Sequence, residues 1–241
     1  MKAMIFTAGV EGQLQPRFSH NPQALVRINN EPLLGMLIRR LADSGFREII
    51  INVHHFAGQI IEYLKGNNYF GIRIEVSDET DLRLNTGGGL KQVEWFFDDN
   101  RPFIVYNLEI LSDMDLRKLY EDHIRSGALA TIVVRKRNST RFMLFDDKMQ
   151  LSGWENIVTG ETRKVRCRSQ ELERYAFSRI QVISPRIFNH ISEQGPFHLA
   201  ELYLKLAAEN VIRGYPEDDS IWMDLGKNEG MIEAEKLFIK N

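Results

Sequence analysis

The chain predicts an α/β fold built on a mostly parallel sheet, and three observations support it. The first half alternates short apolar runs with amphipathic helical stretches. The strand-like run Lys2–Phe6 is apolar and Pro102–Tyr106 is of a buried type, which suits strands covered on both faces. Near Arg141 the pattern breaks into short strand-like pieces separated by turn residues, which marks an antiparallel insertion. A length of 241 residues suits one domain, or one domain carrying an insertion.

In chain order, Lys2–Phe6 is a short apolar strand. Pro32–Ser44 reads as a helix, with Leu33, Leu34, Leu37, Ile38 and Leu41 on one face and Gly45 as its stop. Glu48–Val53 is a strand rich in β-branched residues, Phe56–Lys65 a helix ended by Gly66, and Ile72–Val76 another strand. Gly89–Phe97 is expected as a short helix that opens directly after three glycines. Pro102–Tyr106 has the composition of a buried strand, Asp115–Ser126 of a helix and Ala128–Val134 of a further strand. From Arg141 the segment RFMLFDDKMQLSGWENIVTGETRKV is split by Asp146-Asp147 and Thr159-Gly160. The basic stretch Thr162–Arg174 reads as a solvated flap. Tyr175–Ser184 returns to a core strand, and Phe197–Glu209 and Asn228–Ile239 read as helices. With no linker in view, the expectation is one domain over residues 1–241, with an inserted antiparallel lobe at approximately 141–174.

Composition narrows the function. A net charge of −2 gives no global pull toward nucleic acid or an anionic membrane, so any anion site must be local. The single cysteine, Cys167, excludes an intrachain disulfide and a Cys-rich zinc site. The N-terminal residues lack the pattern of a signal peptide, and no apolar run has transmembrane length, so a cytoplasmic protein is expected.

Ligands of an open parallel sheet bind outside the carboxyl ends of its strands. Three loops have that address: Thr7–Pro16, Leu84–Gly89 and Asn107–Leu111. The first, from Thr7 through Ala8, Gly9 and Gly12, is neither a G-x-G-x-x-G fingerprint nor a Walker loop, which disfavours a nicotinamide enzyme. Taken alone it is compatible with an ordinary turn. The second, LNTGGGLKQV, places Asn85, Thr86, Gly87, Gly88 and Gly89 together. Such a run marks either close approach of the backbone to a ligand or a tight turn within the chain.

Together these stretches resemble the sugar-1-phosphate nucleotidyltransferases. The group includes the mannose-1-phosphate guanylyltransferases and the N-acetylmuramate-1-phosphate uridylyltransferases. The resemblance rests on MKAMIFTAG, NPQALVRINNEPLL, REIIINVHHFAGQI, LNTGGGL, FIVYNLEILSDMDL, YAFSRIQVISPRIF and WMDLGKNEGMIEAEKL, in this order over nearly the whole chain. It implies a Rossmann-like mixed sheet of the nucleotide-diphospho-sugar transferase type, with a lobe on the sugar side. It also implies a reaction, in which a nucleoside triphosphate and a sugar-1-phosphate give a nucleotide-sugar and diphosphate with the help of Mg²⁺. Nucleotide contacts fall, by that resemblance, on Thr7, Ala8, Gly9, Gly12 and Asn85 to Gly89. The sugar side falls on Trp154, Glu155 and Arg179, and the metal on Glu109 and Asp224.

The chain departs from the family pattern at the charged positions. The family reads G-x-G-T-R-L-x-P and then P-K-A-L. Here Glu11 stands for the second glycine, Gly12 for the threonine, Gln13 for the arginine and Gln23 for the lysine. A cation about 4 Å from a phosphate oxygen is worth roughly 4 kcal/mol at an effective dielectric near 20. Glutamine hydrogen-bonds without that charge, so slowed chemistry is expected. The alternative is a non-catalytic paralogue that binds nucleotide or nucleotide-sugar as a sensor or scaffold. The family's N-x-D becomes Asn107-Leu108-Glu109, whereas its D-x-G persists as Asp224-Leu225-Gly226. Either Glu109 and Asp224 share a metal, or Asp224 serves a turn and Glu109 is only polar. Arg17 and Arg179 are candidate replacement cations. His54 and His55 should point to opposite faces, as adjacent strand residues do. His123 and His198 read as core or surface residues, and Arg135-Lys136-Arg137 as a solvated run.

Overall fold

The computed structural model describes residues 1–7, 22–80, 82, 84–166, 171–226, 230 and 234. Its strands and α-helices, in chain order, begin with β1 (Lys2–Phe6), β2 (Arg27–Ile28), β3 (Glu31–Pro32), α1 (Leu33–Asp43), β4 (Glu48–Val53), α2 (Ala57–Gly66) and β5 (Arg73–Asp78). They continue with α3 (Asn85–Gln92), β6 (Phe103–Asn107), β7 (Ile110–Ser112), α4 (Leu116–Ser126), β8 (Ala130–Arg135), β9 (Arg141–Phe145) and β10 (Leu151–Asn156). The last are β11 (Glu161–Lys164), β12 (Glu173–Ile183), α5 (Leu199–Ala207), β13 (Ile212–Pro216) and β14 (Trp222–Asp224). Two compact units result. The first holds Met1–Arg83, Val105–Arg117 and Ile221–Asn241, and the second Leu84–Ile104 and Lys118–Ser220.

The first unit is the α/β body that the sequence predicts. Its strands lie in the order β6-β1-β4-β5. β1 and β4 are parallel, with Lys2 opposite Glu48 and Phe6 opposite Asn52, and β4 and β5 are parallel, with Val53 opposite Asp78. All five residues of β1 are buried, as are Ile49, Ile50 and Ile51 of β4. Burial on both faces explains why these strands read as unbroken apolar runs. α1 follows Pro32, whose fixed φ suits a helix entry, and buries Leu34, Ile38 and Leu41. Each such side chain contributes about 1.5–3 kcal/mol.

In the second unit, strands run β11-β10-β9-β12, with β12 also paired to β8 and β8 to β13. The pairs between β9 and β12, and between β12 and β8, are antiparallel, whereas β8 and β13 are parallel. The antiparallel pieces at 141–164 are therefore one part of a larger unit. β12 changes partner along its length, from β9 at Glu173–Tyr175 to β8 further on, and its register with β8 shifts between Phe177 and Gln181. Phe97 and Phe103 stack at 3.6 Å between ring centroids within its core.

Two expectations need correction. The helix expected at Gly89–Phe97 is α3, Asn85–Gln92, followed by a separate 3-10 turn at Glu94–Phe96. The glycines thus lie inside the helix rather than before it. His54 and His55 do not diverge, because β4 has already ended at Val53; their rings stack at 4.3 Å. The helix expected at Asn228–Ile239 lies largely outside the described residues, where only Gly230 and Ala234 are placed, both helical.

Candidate active site

The carboxyl ends of β1, β4, β5 and β6 converge within the first unit. Thr7, just past β1, donates its N–H and its hydroxyl to the Asn52 carbonyl, at 3.2 and 2.8 Å. On the other side, the Leu108 N–H donates to the Phe6 carbonyl at 2.9 Å. The tip of β1 is therefore tied to both neighbouring strands, and the first loop leaves from a fixed point. Its residues Ala8, Gly9, Gly12 and Gln13, with Arg17 beyond them, lie outside the described residues. Gln23 is placed: it is half-buried and opens a 3-10 turn, its carbonyl accepting the Val26 N–H at 3.1 Å.

Glu109 and Asp224, distant in sequence, are brought together. β14 pairs antiparallel with β7, which sets Asp224 opposite Ile110. The Leu225 N–H donates to the Glu109 carbonyl at 2.7 Å. Gly226 sits between the two acids: a Cβ there would lie 3.0 Å from Asp224 Oδ1 and 3.8 Å from Glu109 Cγ. Glu109 is only 2% exposed, and Asn107 Nδ2 donates to its Oε1 at 3.3 Å. The Gly226 N–H donates to Asp224 Oδ1 at 3.1 Å, which fixes the direction of that carboxylate. Asp224 thus serves the turn and also stands beside Glu109.

This pair fits Mg²⁺ in its donor chemistry. Its donors are hard carboxylate oxygens, and Mg²⁺ is commonly held by one or two carboxylates, with substrate phosphates and waters completing the octahedron. Among the described residues no group of three His, Cys, Asp or Glu could hold a metal ion.

The glycine run belongs to the second unit, where the chain's own packing accounts for much of it. All three glycines are buried. The Gly87 N–H donates to the Phe197 carbonyl at 2.8 Å, and a Cβ at Gly87 would collide with the Phe197 ring. At Gly88 a Cβ would meet the Gly195 carbonyl at 2.7 Å and Leu84 Cβ at 2.9 Å. Thr86 Oγ1 accepts the Leu199 N–H at 3.1 Å, tying α3 to the start of α5. Asn85 opens α3 at a positive φ of 55°. The close approach that the glycines permit is thus to the segment 195–197.

The sugar-side candidates, also in the second unit, separate. Trp154 and Glu155 are neighbours on β10 and face opposite ways. The Arg163 guanidinium covers the Trp154 ring at 4.7 Å and binds Glu201 of α5 through two bonds of 2.7 and 2.9 Å. Glu155 instead pairs with Arg174 at 2.6 and 2.9 Å and lines a different hollow with Leu144 and Lys164. Arg179 lies at the register shift of β12 with a φ of +60°, a strained value for a non-glycine residue. Arg135 is engaged by the Asp218 and Ser220 carbonyls and Lys136 by Glu173, so this run is tied down rather than simply solvated.

Two residues escaped the sequence reading. Asn52 and Glu79 are 2% and 5% exposed at the tips of β4 and β5. The Glu79 N–H donates to the Val53 carbonyl at 2.7 Å, and His54 Nδ1–H donates to the Glu79 carbonyl at 2.9 Å. Burial raises the Glu79 carboxyl above the usual carboxylate range, offset in part by the adjacent Asn52 amide and His54. The available signal was a polar residue next to the last position of the apolar β4, and an acid just past the end of the mixed strand β5.

Known proteins share this architecture. A uridylyltransferase for glucose-1-phosphate from Synechocystis is 26% identical over 94% of this chain; the match spans 60% of that relative's length. An N-acetylmuramate alpha-1-phosphate uridylyltransferase from Neisseria meningitidis is 26% identical over 98% of both chains. The crystal structure of HddC from Yersinia pseudotuberculosis superposes with a TM-score of 0.78 at 19% identity, covering 98% of this chain and 99% of that one, which shows a common fold. Residues 2–148, more than half of the sequence, match the family model described as nucleotidyl transferase, and the chain belongs to that family.

Proposed function

We propose that the chain transfers a nucleotidyl group from a nucleoside triphosphate to a sugar-1-phosphate. An oxygen of the sugar phosphate bonds to the α-phosphorus, the bond to the β-phosphate oxygen breaks, and diphosphate leaves. The observation that carries this reading is the meeting of Glu109 and Asp224 beside the tip of β1. These two carboxylates would hold Mg²⁺, which when bound supplies charge neutralisation on the phosphates. Asn107 orients Glu109 through its amide, and the Gly226 N–H orients Asp224. Gln13 and Gln23 would face the phosphates as neutral donors, so orientation is retained while electrostatic stabilisation of the departing charge is weakened.

Release of diphosphate from each nucleoside triphosphate with a panel of sugar-1-phosphates tests the proposal. Glu109→Ala and Asp224→Ala should each abolish Mg²⁺-dependent turnover, and the triple variant Gln13→Arg/Gln23→Lys/Glu109→Asp should exceed the natural chain by at least about tenfold. Turnover that survives both alanine variants would refute the metal assignment. A second reading, a nucleotide or nucleotide-sugar binder without turnover, is favoured by the loss of both family cations. It predicts nucleotide binding with no diphosphate released except by the triple variant.

A further inference from the structure

Asp224 closes β14, and the peptide that joins it to Leu225 touches both sides of the carboxylate pair. The N–H of that peptide, on Leu225, donates to the Glu109 carbonyl at 2.7 Å. Its carbonyl, on Asp224, stands against Gly230 further along the chain. A Cβ at Gly230 would collide with the Asp224 carbonyl oxygen, and would lie 2.9 Å from the carbonyl carbon and 3.4 Å from the Leu225 nitrogen. One peptide plane is thus gripped from two directions, by the backbone of Glu109 and by the bare Cα of a glycine.

Backbone conformation does not call for a glycine at 230. The residue is helical and half-buried, and its φ lies outside the left-handed region, so any L residue could adopt it. Glycine is the poorest helix former after proline, and within a helix it stands where space demands it. The demand here comes from backbone atoms, which cannot turn aside as the end of a flexible side chain can. Met223 and Leu225, on either side of Asp224, are both buried, and β7 holds β14 in register with Leu111 opposite Met223. A displaced 224–225 peptide therefore cannot be absorbed by its neighbours. It carries with it the Asp224 carboxylate, fixed by the Gly226 N–H, and through the Leu225 N–H it pulls on Glu109.

We propose that Gly230 is a positioning residue for the carboxylate pair. By letting the chain close onto the Asp224 carbonyl, it sets the tilt of the 224–225 peptide, and hence where the Asp224 and Glu109 oxygens stand for Mg²⁺. The inference rests on the metal reading above. Its signature is a matter of ion size. Mg²⁺ demands a near-ideal octahedron of oxygens at about 2.0–2.1 Å, whereas Ca²⁺ accepts roughly six to eight oxygens at about 2.3–2.6 Å in a flexible shell. Ligands pushed out of place therefore weaken Mg²⁺ far more than Ca²⁺. A residue that only supported the fold would weaken both ions alike, or neither.

The test is titration of the full chain with Mg²⁺ alone and with Ca²⁺ alone, followed through the amide ¹H–¹⁵N shifts of Leu225 and Gly226. Gly230→Ala should weaken Mg²⁺ binding by about tenfold or more, on the scale where misplacement by about 1 Å costs about 100-fold. Its Ca²⁺ affinity should change by about twofold or less. The natural chain covers the case in which the alanine variant does not fold: Mg²⁺ should move the Gly230 amide with the same midpoint as those of Leu225 and Gly226. A Gly230 amide indifferent to Mg²⁺ overturns the inference alone. So does an alanine variant that binds Mg²⁺ like the natural chain, or one that loses Mg²⁺ and Ca²⁺ to the same degree. Glu109→Ala and Asp224→Ala should each abolish the Mg²⁺ response. A response that survives both, or a natural chain that shows none at tens of millimolar Mg²⁺, overturns the metal reading and this inference with it.

Discussion

At the residue scale, two positions show how local chemistry sets stability. Gly87 costs about 1 kcal/mol of helix propensity relative to alanine, so on an open helix Gly87→Ala would stabilise. Here the added methyl meets the Phe197 ring and lies 2.9 Å from the Phe197 carbonyl. Overpacking of this kind costs about 1–3 kcal/mol, so the variant should be less stable, as urea denaturation would show. His123 is 2% exposed and shares a hydrogen bond of 2.9 Å between its Nδ1 and Thr131 Oγ1. Burial, with help from the nearby Arg186 and Arg213 and against Asp122, lowers its pKa from 6.5 to about 4. A lowered histidine pKa means that the unfolded chain takes up a proton that the folded chain refuses. Stability should therefore fall as pH drops through 6.5 and level off near 4, by up to about 3 kcal/mol. His123→Gln should flatten that part of the pH–stability profile; an unchanged profile would place the acid sensitivity elsewhere.

At the scale of elements, strands of the first unit were legible because their positions are buried on both faces, as Ile49 to Ile51 are. The start of α3 was not legible. Glycine discourages helix, so LNTGGGL read as a loop, and only contact with the segment 195–197 reverses that preference. The partner change along β12 was equally hidden, since its strand-like sequence is uniform while its neighbours are not. Between α5 and β11 the two hydrogen bonds of Arg163 to Glu201 suggest a strong clamp. Both side chains are largely in water, however, at 40% and 51% exposure. A double-mutant cycle of Arg163→Ala and Glu201→Ala should yield a coupling of no more than about 1 kcal/mol, diminishing with added salt.

At the scale of the whole molecule, no described helix is long and apolar enough to cross a membrane. A ligand that binds only the folded chain raises its melting temperature. At a nucleotide concentration one hundred times its Kd the gain is about 2.7 kcal/mol, or about 5–10 °C for a chain of this size. The shift should require Mg²⁺ and shrink with chelator, and Asp224→Asn should reduce it; a shift indifferent to all three would separate nucleotide binding from the carboxylate pair. Residue order alone determined the parallel body, because apolar runs spaced by helices have few other ways to bury their surface. It also determined which family positions had changed, since Gln13, Gln23 and Glu109 are matters of identity and not of placement. Tertiary structure decided the rest. Strand pairing brought Glu109 to Asp224, close packing gave the glycines their reason, and a turn beyond β4 set exposed rings beside a buried acid. Each is a contact between residues far apart in sequence, or an orientation fixed by a neighbouring element, and neither is encoded in a local pattern.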